Sequence, residues 1–141
     1  MDVVVGQAVS IDWDRLVEEA RAVMLRAYAP YSNFPVGAAG LVDDGRIITG
    51  CNVENAAYGV VLCAECGMVS AAYAGAVAGS IRPRLVAVAV VDGHGEPLMP
   101  CGRCRQVLFE AGGPDCLVLT AGPPLRVADL LPEAFGPHNL A

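Results

Sequence analysis

Residues 85–91 read LVAVAVV, seven apolar positions without a polar break and rich in β-branched valine. A strand with one wet face alternates apolar and polar residues, so this run predicts a strand covered on both faces, closed by a turn at Gly93 to Pro97. Its covers are sought on either side. Upstream, an Ala-rich segment from about Cys63 to Ala78 predicts a helix, with Gly79 as its stop. Downstream, a helix is expected from Pro100 to Gly112-Gly113, then a strand CLVLT at 116–120 and a last helical segment VADLLPEAF at 127–135. Earlier still, VGAAGLV and RIITGCNV flank Asp43-Asp44-Gly45 and are predicted to pair as a hairpin. Before them, Ser10 or Asp12 can cap a helix whose apolar stripe is Trp13, Leu16, Ala20, Val23 and Ala27, ending before Pro30. The order αββαβαβα carries no internal repeat or linker. It predicts one domain over residues 1–141, a three-layer α/β/α sandwich built on a mixed sheet of about five strands.

Composition narrows the function. Of 141 residues, 55% are hydrophobic and 17% charged, enough apolar material for a core that needs no disulfide or metal to hold it. Nine Lys plus Arg against fifteen Asp plus Glu give a net charge of -6 and a pI of about 4.7. That is the wrong sign for neutralising a phosphate backbone, so no nucleic-acid partner is expected. The longest apolar run is far below the roughly 20 residues that span a bilayer, so no membrane association is expected. The N-terminal MDVVVGQAVS lacks the positive start of a secretory leader, and a cytoplasmic location is expected. A mean hydropathy of +0.49 fits apolar surface covered by other subunits.

Six cysteines in such a chain read as reduced thiols, so their spacing is first a question of metal or catalytic chemistry. Cys63-Ala64-Glu65 and Pro100-Cys101-Gly102-Arg103-Cys104 each open a predicted helix. A helix N-terminus presents unpaired N–H groups and about half a positive charge, which favours the thiolates that zinc binds. Cys63, Cys101 and Cys104 are therefore the candidate ligands, and three protein ligands leave the open position of a catalytic zinc site. Glu65 projects beside them as candidate general acid/base. A rival pattern is present as well: Cys63-x-x-Cys66 and Cys101-x-x-Cys104 together spell a four-cysteine structural zinc site, the core of a non-catalytic binding module. Against it, the 34 residues between the pairs exceed the usual spacing of about 15–20, and Glu65 is left without a purpose. Loss of zinc from Cys66→Ala would mark the four-ligand site.

CAE at 63–65 with PCGRC at 100–104 resembles the three-cysteine form of the zinc deaminase signature. PYSNFPVGAA at 30–39, GCNVENAAYG at 50–59, CGRCRQVL at 101–108 and LLPEAF at 130–135 extend the resemblance, in order, to the homotetrameric cytidine deaminase family. The resemblance implies a cytidine deaminase-like fold, one Zn²⁺ per subunit, and hydrolysis of cytidine and 2′-deoxycytidine to the uridines with loss of ammonia in pyrimidine salvage. It implies that Phe34 packs on the pyrimidine, that Asn52 and Glu54 bond the ribose hydroxyls, and that backbone around Ala64 and Cys101 grips the pyrimidine edge. Ala56 and Tyr58 match positions that line a neighbour's site, and Phe135 matches an aromatic given across a subunit boundary, so sites shared within a homotetramer are implied. A blasticidin-type deaminase also carries CGRCRQ and a similar LLP block, and Glu54 with Asn55 argue against that alternative.

The chain departs from the family at Cys66, where relatives often place an arginine that offsets the thiolate charge. Arg103 is the candidate replacement, and on that reading Arg103→Ala raises the pH at which activity appears. Cys51 and Cys116 fall in predicted strands and read as small buried hydrophobes. His94 and His138 match no ligand spacing and read as solvated. Trp13 and Tyr28 fall on the stripe of the first helix and read as core or subunit packing.

Overall fold

The computed structural model describes residues 9–140, so most of the N-terminal stretch read for a leader lies outside the described residues. In chain order, helix α1 (Trp13–Met24) precedes the hairpin of β1 (Gly37–Val42) and β2 (Ile47–Cys51). Then follow α2 (Ala64–Ala74), β3 (Leu85–Val91), α3 (Gly102–Gly112), β4 (Leu117–Val118), β5 (Leu125–Arg126) and α4 (Val127–Leu130). The five strands lie in the order β2-β1-β3-β4-β5, so the all-apolar run is the middle strand and is buried at every position. β1 runs antiparallel to both neighbours, with Ala39 opposite Thr49 and Ala89, while β4 runs parallel to β3, with Val88 opposite Val118. That parallel step needs a crossover, which α3 supplies.

The two faces of the sheet carry separate cores, as a three-layer sandwich requires. Leu16, Ala20 and Met24 of α1 pack on Ala39, Leu41, Ala87, Ala89 and Val91. Met68 and Ala72 of α2, Leu108 of α3 and Val127 of α4 pack on Ala38, Val42, Val88, Val90 and Val118. Strict alternation would send Leu85 to the α1 face with Ala87, yet it joins the other core. The pairing slips between Leu41 and Val42, and that bulge turns the strand end over.

Several elements end earlier than the sequence predicts. Asp12 caps α1, its side chain accepting from the Arg15 amide at 3.1 Å, but the helix closes at Met24 rather than near Pro30. The residues beyond are claimed by the sheet edge: the Tyr28 amide donates to the Asn52 carbonyl, and the Glu54 amide donates to the Tyr28 carbonyl. Ala27 and Tyr28 are thus off the stripe, and Tyr28 is exposed, whereas Trp13 packs on the core. α2 stops at Gly75, short of Ala78. Only Leu117–Val118 of CLVLT pairs as a strand, only Val127–Leu130 of VADLLPEAF is helical, and β5 is an unpredicted two-residue edge. Cys116 is buried and Cys51 half-buried, while His94 and His138 are exposed. Among the described residues no helix is long and apolar enough to cross a membrane.

Two glycines set the spacing of layers. A Cβ at Gly37 would run into the Ala20 carbonyl of α1, and one at Gly50 would run into the Ala64 carbonyl and the Met68 amide of α2. The missing side chain at Gly50 lets the first turn of α2 rest directly on β2, which fixes the height of Cys63 and Glu65 over the sheet.

Candidate active site

α2 and α3 begin alike. Cys63 and Cys101 are the residues before the first helical turn, both in extended backbone, and neither side chain caps its helix. In α3 the Cys104 and Arg103 amides favour a charged sulfur at Cys101. Cys104 stands three residues inside α3, so one helix offers a thiol at its cap and in its first turn, and the other offers one at its cap. The Sγ atoms of Cys63, Cys101 and Cys104 all lie within 4.8 Å of one another, and those of Cys63 and Cys101 are 4.0 Å apart. A tetrahedral zinc with Zn–S near 2.3 Å has S···S edges of about 3.8 Å, so the sulfurs are spaced as zinc requires. Cys66 lies outside this group, so the geometry gathers three thiols and not four.

The electrostatics ask for a cation. Burial pushes the Cys63 thiol up, and the adjacent Cys101 sulfur adds to the effect. Burial also pushes Cys104 up, followed by the Glu65 carboxylate, which accepts its proton at 3.2 Å through Oε2. Burial opposes ionisation at Cys101 too, but hydrogen bonding from Cys104 and Arg103 outweighs it and lowers its pKa. Three soft donors crowded beside a carboxylate repel one another once ionised, and a divalent cation removes that repulsion. The residues fit zinc.

Glu65, in the first turn of α2, is 4% exposed and is the buried charged side chain among the described residues. Arg103 reaches back from α3, donating from Nη2 to the Val61 carbonyl at 3.1 Å and to Cys63 Sγ at 3.7 Å. The guanidinium thus stands against one sulfur of the group, where the thiols in turn favour its charged form. Ala64 is buried, its carbonyl against Gly50.

A second cluster adjoins the first through the backbone. Val53 pairs antiparallel with Leu62, the residue before Cys63, so Asn52 and Glu54 flank a rung of the same ladder. Glu54 Oε1 accepts from the Tyr31 and Ser32 amides at 2.9 and 3.1 Å. Ser32, through its side chain and then its amide, together with the Tyr31 amide, holds the Glu54 carboxyl below its ordinary value against the opposing effect of desolvation. Asn52 Oδ1 accepts from the Val36 amide at 2.8 Å, and its Nδ2 donates to the Phe34 carbonyl at 2.9 Å. Phe34 sits on this loop with its ring half exposed.

The remaining predicted positions are peripheral within one chain. Ala56 and Tyr58 lie on an exposed segment, where the Tyr58 ring meets Tyr31 edge-on at 6.2 Å. Phe135 is exposed and lines a groove with Phe109, Leu131 and His138 that contains none of the three thiols. Arg105 and Gln106 have functions the spacing does not announce. Arg105 donates to the Pro100 carbonyl at 2.8 Å and the Leu130 carbonyl at 3.0 Å, and Gln106 donates to the Phe135 carbonyl at 2.8 Å. Together they tie the C-terminal segment to the ligand loop. The signal was Arg105 in the first turn of a helix, where the dipole disfavours a cation unless carbonyls receive it.

A sequence profile described as "Cytidine and deoxycytidylate deaminase zinc-binding region" matches residues 11–120. A cytidine deaminase of Mycobacterium tuberculosis is 55% identical over 130 residues, covering 92% of this chain and 94% of that one. The crystal structure of cytidine deaminase from Mycobacterium tuberculosis superposes with a TM-score of 0.83 at 56% identity, covering 89% of this chain and 98% of that chain. The one from Mycobacterium leprae superposes at 0.80 with 57% identity, covering 87% and 99%. The matched span holds both helix starts and all three sulfurs as well as the carboxylate between them, and the chain belongs to the cytidine and deoxycytidylate deaminase family.

Proposed function

We propose that this chain is a cytoplasmic cytidine deaminase of pyrimidine salvage, converting cytidine and 2′-deoxycytidine to uridine and 2′-deoxyuridine with release of ammonia. The observation that carries the reading is Glu65: a buried carboxylate within hydrogen-bond reach of a thiol in a three-sulfur group of zinc dimensions. A purely structural metal site has no use for it. Cys63, Cys101 and Cys104 would hold one Zn²⁺ per subunit, and a metal bound there would supply Lewis acidity to the reacting water. Glu65 takes a proton from the water that attacks C4 of the pyrimidine and passes it to N3, then takes the proton of the new C4 hydroxyl and passes it to the amine, which leaves as ammonia as the C4 carbonyl forms. Arg103 offsets thiolate charge in place of the arginine that Cys66 displaces.

The nucleoside is held from the second cluster. Phe34 packs on the pyrimidine, backbone at Ala64 and Cys101 meets its polar edge, and Glu54 with Asn52 bonds the ribose hydroxyls. Glu54 is suited to this, since Oε1 is engaged by the loop amides while Oε2 has a lone pair to offer. A carboxylate placed for a hydroxyl is left unpaired by a ligand lacking one, which selects nucleosides over free bases. The exposed apolar surface of Tyr58, Val60, Leu62 and Phe135 supports a homotetramer in which Ala56, Tyr58 and Phe135 complete a neighbour's site. Ammonia release from cytidine, 2′-deoxycytidine and cytosine tests the reading. Turnover of both nucleosides and at least a hundredfold lower kcat/KM on the base is expected, on the order of the discrimination a lost polar contact gives. A zinc-loaded protein inactive on both nucleosides would overturn it.

A further inference from the structure

Every polar group of Asn52 bonds into one stretch of chain. Its amide donates to the Val36 carbonyl at 3.3 Å and its carbonyl accepts from the Tyr28 amide at 3.0 Å. Its side chain accepts from the Val36 amide and donates to the Phe34 carbonyl, at 2.8 and 2.9 Å. The carboxamide orientation is fixed by chemistry, because a backbone amide only donates and a carbonyl only accepts. The Asn52 side chain therefore staples the backbone on both sides of Pro35, at the Phe34 carbonyl and the Val36 amide. The other bonds of the loop lie before Phe34: Glu54 Oε1 accepts from the Tyr31 and Ser32 amides, the Asn33 amide donates to the Ala29 carbonyl at 2.9 Å with Asn33 at φ 54, in the left-handed region, and the Phe34 amide donates to Ser32 Oγ at 3.0 Å. The Phe34 ring is 51% exposed, so core packing does not set its direction.

We propose that Asn52 is a positioning residue for Phe34, fixing the ring that meets the pyrimidine by clamping the backbone at Phe34 and Val36, in addition to any bond it makes to ribose. The inference rests on the proposed contact between Phe34 and the pyrimidine. It predicts that losing Asn52 weakens ligands that have no ribose hydroxyl for Asn52 to touch. A residue acting on ribose alone would spare them.

The test uses zinc-loaded wild type, Asn52→Asp, Phe34→Ala and the double variant. Asn52→Asp keeps an acceptor for the Val36 amide and for a hydroxyl, but sets a carboxylate oxygen against the Phe34 carbonyl. KM for cytidine and the inhibition constant of 2′,3′-dideoxycytidine, which lacks both secondary hydroxyls, are measured for each protein. Asn52→Asp is expected to raise both by a similar factor of about ten with zinc content unchanged, and to add little in the Phe34→Ala background. A rise confined to cytidine, or one that persists in full without the Phe34 ring, overturns the inference while leaving the Phe34 contact standing. If Phe34→Ala leaves both constants unchanged, the pyrimidine contact itself fails, and the inference with it. Should Asn52→Asp not fold, Asn52→Ser, too short to span both backbone positions, is measured in its place against the same outcomes.

Discussion

At the scale of single residues, the thiol group was legible because reactivity and spacing are written in the chain. Cys63, Cys101 and Cys104 each fall at a helix start that the pattern also marks, and the structure draws their sulfurs within 4.8 Å. Asn52 was less legible. An asparagine reads the same whether its carboxamide faces a ligand or the backbone at Phe34 and Val36, and only the fold decides between them. Glu54 allows a prediction in pH. Its carboxyl is held below the ordinary value of 4.5, chiefly by Ser32, so the charged form is favoured in the folded chain. The stabilisation it gives is complete above that ordinary value and is lost as pH falls through the lowered one. The amide resonances of Tyr31 and Ser32 are expected to titrate together by NMR with a midpoint below 4.5. A midpoint at or above it would mean that the carboxylate does not hold the loop.

At the scale of elements, the strands and helices that build the core followed from hydrophobic period, while the edges did not. α1 ends at Met24 because Tyr28 is taken into pairing with Asn52 and Glu54, a long-range competition no local pattern carries. β5 escapes notice because two residues after a Pro-Pro pair have no period to read. The site depends on how closely α2 approaches β2. Gly50→Ala is expected to push the first turn of α2 outward, destabilising the chain by roughly 1–3 kcal/mol and lowering zinc bound per subunit. Gly67→Ala is the comparison: its added methyl meets only the Cys51 carbonyl at 3.9 Å, and alanine stabilises a helix interior by about 0.5–1 kcal/mol. Thermal unfolding with metal analysis checks both. Equal midpoints for the two variants would remove the close approach from the account.

At the scale of the whole molecule, helices on both faces of a mixed sheet bring the starts of α2 and α3 together over one end of it, and the C-terminal segment is strapped back by Arg105 and Gln106. Tyr58 and Phe135 are exposed in the single chain, and local pattern does not say what such an aromatic meets. The proposed sharing of sites between subunits makes a sharp prediction. Glu65→Gln and Phe135→Ala chains, each impaired alone, should recover activity when assembled together, since some sites then combine an intact Glu65 with an intact Phe135 from the next subunit. Mixed assemblies no more active than the average of their parents would mean that each chain completes its own site.

The central claim is that the three thiols hold a catalytic metal and that Glu65 moves the protons. Its most direct test is zinc content and ammonia release from cytidine for wild type and Glu65→Gln side by side. Both proteins are predicted to bind one zinc per subunit, with deamination by Glu65→Gln reduced at least a hundredfold, within the range that general acid/base catalysis contributes. Equal rates in the two proteins would contradict it, because the buried carboxylate beside Cys104 would then have no part in the chemistry.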